Sequence, residues 1–495
     1  MNSSNNRSSY LELPDFESLK TVHIVGVCGT LMGSFAAFLR RRGIRVTGSD
    51  QNVYPPMSDV LKAAGVELLN GYSETHLTHT GSKPDLVVIG NVIGKANPEA
   101  HAALTGGYVY SSLPEAMEKL LLQKTLNLVV AGTHGKTTTS SLLAHTLVQC
   151  GKNPNYFIGG VSHDLPFSFH LSSQEAGTPF VLEGDEYDTA FWDKVPKFNH
   201  YLPDHAILTS VEFDHADIYP DFQAVVRAFE GLLDRIRKNG RLIACFDYDS
   251  VKKLIHNVRG DIRVISYGSS EKTGARYFPK KISMAPDMTH FEIYDSDLEK
   301  SVAEVSMRIS GVHNILNALS VWIECHELGI PVDQISGALK SFQGVKRRQE
   351  VRGEVQGVLV IDDFAHHPTA VRETLKALRA KYPDRRLVAV FEPRSATSRR
   401  KVFQNEYAAA FQGASVVHIA APYDQSKIDS SDQFSSDQLV RDICKKGQMG
   451  FLMKDVESGV ESIARDAKSG DLVAVLSNGG FGGFIPKLLE MLRKK

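Results

Sequence analysis

The densest chemistry in the chain lies in Gly132-Thr133-His134-Gly135-Lys136-Thr137-Thr138, set between the apolar run NLVVA and a helix-like stretch. A strand, loop and helix in this order point backbone N–H groups and a helix N-terminus at an anion. Lys136 then meets the outer phosphates of a nucleotide, and the Thr137 hydroxyl reaches its Mg²⁺. The spacing departs from G-x-x-x-x-G-K-[ST], since Val130 stands where the first glycine belongs; the alternative is a chance G-K-T turn. Two acidic segments follow other apolar runs: Glu183-Gly184-Asp185-Glu186-Tyr187-Asp188 after PFVL, and Glu212-Phe213-Asp214-His215-Ala216-Asp217 after HAILTSV. Carboxylates at strand ends suit Mg²⁺, a hard ion with oxygen ligands, and that edge is where open α/β sheets bind ligands. Each segment alone reads equally as a solvated loop, and His215 as a metal or substrate contact or a hydrogen-bonded structural histidine.

Asn314 and Asn317 fall on adjacent turns of one helix face in GVHNILNAL, where side-chain amides either meet an adenine edge or cap the helix. Asp362-Asp363-Phe364-Ala365-His366-His367 closes the strand-like run GVLVI. Near the N-terminus, Gly26-Val27-Cys28-Gly29-Thr30-Leu31-Met32-Gly33 follows TVHIV, and Ser49-Asp50 closes the next strand. Glycines admit a pyrophosphate and the acid a ribose hydroxyl, but G-x-x-G-x-x-x-G is not the dinucleotide fingerprint; it fits a diphosphate better than NAD.

These segments need a scaffold that brings strand ends together. From Thr21 onward, short β-branched runs alternate with amphipathic stretches, which predicts parallel sheets with crossover helices. The 495 residues favour about three domains. We place them at 1–123, 124–345 and 346–495, all α/β: Rossmann-like, P-loop-like and Rossmann-like. The stretch 247–309 reads as a smaller antiparallel element, and YDQSKIDSSDQFSSDQ as a surface loop. Lys+Arg of 56 against Asp+Glu of 57 leaves no surplus for nucleic acid or an anionic membrane, so phosphate-binding cations must be local. Scattered cysteines without a C-x-x-C pair, a polar MNSSNNRSSY start and no long apolar run predict a reduced, cytoplasmic setting. The sequence is silent on oligomeric state.

In order along the chain, GTHGKTTT, EGDE with EFDHAD, GVHNILNAL, GVKRR and IDDFAHHPT resemble the Mur ligases, the ATP-driven amide synthetases of peptidoglycan assembly. The resemblance implies ATP and Mg²⁺, with Gly132 to Thr138, Asn314, Asn317 and Asp363 around the nucleotide. It further implies metal ligands at Thr137, Glu183 and His215, and catalytic roles for Lys136, His215, Arg347 and His366. A UDP-sugar site is implied at Gly26, Cys28, Gly29, Thr30, Ser49 and Asp50. CGTLMG, SDQNVYPPMS, DEYDTAFWDKVPKFNHY, FEPRSATS and SNGGFGG resemble a peptidoglycan-recycling branch of that family. There UDP-N-acetylmuramate is joined through an acyl phosphate to L-Ala-γ-D-Glu-meso-diaminopimelate. Arg394 would contact that tripeptide, unless it is an ordinary surface arginine.

Three departures stand out. Glu183-Gly184 replaces Glu-Ala; no lysine lies between Lys197 and Lys238 to match the carbamylated lysine of some members; and FEPRSATS stands where L-alanine ligases carry F-Q-P-H-R-Y-T-R. The rivals are an L-alanine ligase, a nucleotide-dependent oxidoreductase using the Gly26 loop, and a regulatory NTPase.

Overall fold

The computed structural model describes residues 12–53 and 57–495. The reading of MNSSNNRSSY, and residues 54–56 of SDQNVYPPMS, lie outside them. Three α/β sheets follow one another along the chain.

The first is a five-stranded parallel sheet, β1 (Thr21–Val25), β2 (Arg45–Asp50), β3 (Glu67–Asn70), β4 (Leu86–Ile89) and β5 (Tyr110–Ser112), in the order β3-β2-β1-β4-β5. The helix Thr30–Arg41 starts directly after the Gly26–Gly29 loop.

The central sheet has ten strands in the order β15-β14-β13-β12-β11-β10-β6-β9-β7-β8. Its strands are β6 (Leu126–Ala131), β7 (Asn155–Phe157), β8 (Phe169–His170), β9 (Pro179–Gly184), β10 (His205–Leu208), β11 (Arg241–Cys245), β12 (Arg263–Tyr267), β13 (Tyr277–Met284), β14 (Thr289–Asp295) and β15 (Lys300–Met307). β6 lies parallel between β9 and β10. The chain winds away from it in one direction through β7 and β9 and in the other through β10 and β11, so the strand order reverses at β6. Such a switch point opens a crevice at the strands' C-terminal ends. The antiparallel β13, β14 and β15 join this same sheet through β12, so the expected element in 247–309 extends the central sheet.

The third sheet runs β16-β17-β21-β18-β19-β20, comprising β16 (Glu350–Val355), β17 (Val358–Asp363), β18 (Arg386–Phe391), β19 (Val416–Ala420), β20 (Met449–Met453) and β21 (Asp471–Leu476). Only β16 is antiparallel to its neighbour. β17 and β21 are buried along their whole lengths, as continuous apolar runs sandwiched between helices should be. The segment read as a surface loop buries Phe434, and its last residues begin the helix Ser436–Lys445 with Ser435 as N-cap.

The two seams between these units differ in kind. Phe35 and Phe38 of the first helix pack on Phe169 beside β7, the Phe38 and Phe169 rings meeting edge-on at 4.3 Å. Arg41 and Arg42 donate to the Phe169 and Leu171 carbonyls. The seam between the central and last units is instead made largely of polar contacts, described below. Among the described residues no helix is long and apolar enough to cross a membrane. All five cysteines are free thiols.

Candidate active site

The β6 loop is shaped by two glycines that nothing else could replace. Gly132 has φ +138°, and a Cβ there would sit 2.1 Å from Thr209 Oγ1; Gly135 has φ +83°, with a Cβ 2.8 Å from Asn317 Oδ1. Bonds to the β10 loop fix the remainder. Thr133 Oγ1 donates to the Glu212 carbonyl and accepts from the Glu212 amide, while the His134 amide donates to Ser210 Oγ. The helix Lys136–Gln149 follows at once.

Lys136 Nζ folds back over the loop. It donates to the Gly132 carbonyl at 2.6 Å and the Thr133 carbonyl at 3.2 Å, and meets both Glu186 oxygens at 2.9 and 3.0 Å. Glu186 also receives His215 Nε2 at 2.9 Å, so one buried carboxylate serves two cations. Burial works against all three charges, but the pairing wins: Lys136 and His215 are held above their ordinary pKa values and Glu186 below its own. The Thr137 hydroxyl donates to Glu183 Oε1 at 2.7 Å, and the Gly159 amide donates to Glu183 Oε2 at 2.7 Å. Burial raises the Glu183 pKa despite those bonds and the charge of Lys136. Asp185 is held down at about 2, its burial outweighed by Lys197, whose Nζ lies 2.6 Å away.

Thus Lys136, Thr137, Glu183 and His215 converge where β6, β9 and β10 end. Thr137 touches Glu183, whereas His215 reaches Lys136 through Glu186. Thr138 is buried in the first helical turn. Asn314 and Asn317 bury their amides on the helix Val312–Glu327: Asn314 Nδ2 donates to the Ser310 carbonyl and Asn317 Nδ2 to Asn314 Oδ1. Neither caps the helix, whose N-cap is Gly311, and Asn317 lies against the β6 loop at Gly135.

The third unit approaches from the other side. Asp214 accepts from the Thr397 hydroxyl at 2.6 Å and has His366 Nε2 3.7 Å away; despite burial, His366 and then His215 hold its pKa far below the ordinary value. Thr369 Oγ1 donates to Glu212 Oε1, and His367 Nε2 lies 3.2 Å from the Phe213 carbonyl. Arg347 donates to the Ser477 and Gly479 carbonyls, and its Nε lies 3.4 Å from Asp362. Asp363 accepts the Gln349 and Ala365 amides and is raised by burial. Arg394 stacks on Tyr423, 3.7 Å from the ring centroid, with Glu392 3.4 Å away. A Cβ on Gly479 would meet its Nε at 2.0 Å. Arg347 and Arg394 therefore flank one turn, Ser477–Gly479.

The N-terminal residues form a separate cluster. The Cys28 amide donates to Asp50 Oδ2 at 2.9 Å, the Gly26 amide to the Ser49 carbonyl, and Gly29 and Thr30 are exposed at the helix start. Burial and then Asp50 push the Cys28 thiol up to about 11. The Ser49 hydroxyl faces inward to Glu99, which also binds His23 and His76, so that side chain secures the loop from beneath.

Sequence reasoning had marked the segments that hold Glu186, Glu212, Asp214, His367 and Thr397 without giving these residues roles of their own. Glu186, Glu212 and Asp214 lay inside the acidic segments, but the partner of Thr397 is 183 positions away, beyond any local pattern.

Comparison with known proteins agrees along the chain. Residues 21–125 match the profile "Mur ligase family, catalytic domain", 130–324 "Mur ligase middle domain" and 347–479 "Mur ligase, glutamate ligase domain". The chain is 38% identical to the UDP-N-acetylmuramate–L-alanyl-γ-D-glutamyl-meso-2,6-diaminoheptandioate ligase of Escherichia coli, over 96% of this chain and 98% of that one. It is 32% identical to the UDP-N-acetylmuramate–L-alanine ligase of Kineococcus radiotolerans, covering 96% and 97%. The crystal structure of a murein peptide ligase from Psychrobacter arcticus superposes with a TM-score of 0.70 at 32% identity, covering 96% and 99%. With three matching profiles and near full-length relatives, the chain belongs to the Mur ligase family.

Proposed function

We propose that the protein uses ATP to join the lactyl carboxylate of UDP-N-acetylmuramate to the amino end of L-Ala-γ-D-Glu-meso-diaminopimelate, a peptidoglycan-recycling step. The observation that carries this is the meeting of Lys136, Thr137, Glu183, Glu186 and His215 at the ends of β6, β9 and β10, facing a third unit that presents Arg347, His366 and Arg394. Sequence likeness to the tripeptide ligases exceeds that to the L-alanine ligases, 38% against 35% and 32%.

In this reading the loop amides and Lys136 hold the outer phosphates as the γ-phosphoryl passes to the carboxylate, forming an acyl phosphate. Lys136 must leave the Gly132 and Thr133 carbonyls to do so. Thr137 and Glu183 offer hard oxygen donors that fit Mg²⁺. When bound, that ion supplies charge neutralisation on the phosphate oxygens. Asn314 and Asn317 sit on the adenine side, with Asp363 near the ribose. The Gly26 loop with Asp50 and the following helix N-terminus receives the UDP diphosphate. His215 and His366, both beside carboxylates, orient the muramyl substrate and the incoming amine. Arg347 and Arg394 receive anionic groups, Arg394 binding a tripeptide carboxylate through its planar fork. Closure of the third unit excludes water from the acyl phosphate.

The divisions 1–123, 124–345 and 346–495 serve as the working domains. Free thiols and the lack of a long apolar helix among the described residues support a cytoplasmic setting. The test offers L-alanine, dipeptide and tripeptide with ATP and UDP-N-acetylmuramate and identifies products by mass. Amide formation with the tripeptide supports the reading; ADP release without any amide product defeats it.

A further inference from the structure

His134, Glu212 and His367 each offer a ligand atom, and these atoms lie within 4.8 Å of one another; among the described residues no other group of three His, Cys, Asp or Glu side chains does so. They come from three places: the phosphate loop, the loop after β10, and the residue capping the helix Pro368–Lys381 of the third unit. His134 Nε2 and Glu212 Oε2 are 2.9 Å apart, an ion-pair distance at which His134 lowers the Glu212 pKa against its burial, although both atoms are buried and the contact is poorly aligned for a hydrogen bond. A poorly aligned contact between two buried ligand atoms leaves lone pairs that a shared ion would use better.

The surrounding groups are those of a ligand shell. Glu212 Oε1 accepts from the Thr369 hydroxyl at 3.0 Å, leaving Oε2 to point at His134. The Thr369 amide can only donate, so His367 Nδ1 is the acceptor and its Nε2–H faces the Phe213 carbonyl at 3.2 Å. A metal-ligating histidine commonly donates its second ring nitrogen to a carbonyl in this way. Its Nδ1 lone pair rests on a long amide contact of 3.2 Å, which a metal can displace. Burial, and then His134, lower the His367 pKa to about 3, so the ring is neutral and able to ligate at neutral pH.

We propose that His134, Glu212 and His367 form a transition-metal site, of the Zn²⁺ or Co²⁺ class, that ties the phosphate loop to the third unit. Two imidazole nitrogens and one carboxylate with an open position match a tetrahedral ion and exclude Mg²⁺, which takes oxygen ligands. The site is distinct from the all-oxygen pair Thr137 and Glu183. It does not require the tripeptide assignment.

The test uses full-length protein freed of metal by a chelator, with saturating Mg²⁺ present. Co²⁺ is titrated while visible d–d absorption is followed, and Zn²⁺ affinity is measured against a chromogenic chelator. One equivalent with a tetrahedral spectrum is expected. Glu212→Gln and His367→Gln should weaken it by a hundredfold or more, and Thr369→Val, which keeps every ligand, by roughly tenfold. Thermal scans in chelator establish that each variant is folded; should either ligand variant unfold, Thr369→Val and His134→Gln decide. Absence of a tetrahedral spectrum in the unsubstituted protein, or one-equivalent binding unchanged in the folded variants, overturns the proposal.

Discussion

Replacing Lys136 by Met separates the structural from the chemical role of the loop lysine. Met keeps most of the apolar stem but removes the charge, leaving Glu186, whose side chain is 3% exposed, with His215 as its remaining cation. Breaking a buried pair from one side costs about 3–5 kcal/mol. His215 at 2.9 Å stays to share the charge, so the lower end, about 3 kcal/mol, applies. For a cooperative unit of roughly two hundred residues this lowers Tm by about 6–12 °C. Lys136→Met/Glu186→Gln removes both charges and should recover part of that loss, since His215 gives up its carboxylate partner as well. Activity should follow a different course. Losing a preorganised cation at phosphoryl transfer costs roughly 2.7–4 kcal/mol, a hundredfold to a thousandfold in kcat, and the double variant should remain as inactive as the single. The assays are thermal scans without nucleotide and ADP release with both substrates saturating. An unchanged Tm for Lys136→Met refutes the ion pair of the free protein; near-normal turnover removes Lys136 from the reaction.

Gly132→Ala should abolish ATP binding, measured by calorimetry, because its Cβ would lie 2.1 Å from Thr209 Oγ1 at a φ hostile to side chains; wild-type affinity would contradict the loop geometry. His200 bonds to Asp193 and Glu118, which outweigh its burial and raise its pKa to about 9. A folded pKa above the unfolded value near 6.5 gives stability fully present below pH 6.5 and lost as pH rises through 9, about 3 kcal/mol in all. His200→Gln should therefore lower Tm at pH 6 and hardly at pH 10; equal loss at both counts against the charged triad. Arg394→Ala should lower kcat/KM for the tripeptide by about tenfold to a hundredfold while leaving ATP affinity unchanged; an unaffected value removes the contact, and equal efficiency with L-alanine removes the tripeptide assignment.

The loop after β6 was legible because its chemistry is local: glycine, lysine and threonine at fixed offsets between a strand and a helix. Strands buried on both faces, such as β17 and β21, announced themselves as apolar runs. The edge strands β16 and β20 did not, since solvent on one side lets charged or irregular residues stand in them, as in EVRGEV and MGFLM. β3 was hidden for a similar reason, only partly buried at its edge. Within the site, the acidic segments were marked from strand ends and Glu183 and His215 within them by the family resemblance, but the sharing of Glu186 depends on side-chain direction, which spacing does not carry. The pairing of Asp214 with Thr397 and of Glu212 with Thr369 arises only once the third unit docks.

The contrast between the two seams has a calorimetric consequence. Separating the Phe35, Phe38 and Phe169 surfaces hydrates aromatic area and raises the heat capacity, whereas hydrating the polar groups of Glu212, Asp214, Thr369 and Thr397 lowers it. The first seam thus has a strongly curved free energy and loosens on cooling, as apolar contacts do. The second exposes less aromatic area when it opens, so its free energy curves much less with temperature. The free energy of docking the third unit should therefore vary nearly linearly with temperature, while the grip of the first unit on the centre carries the curvature.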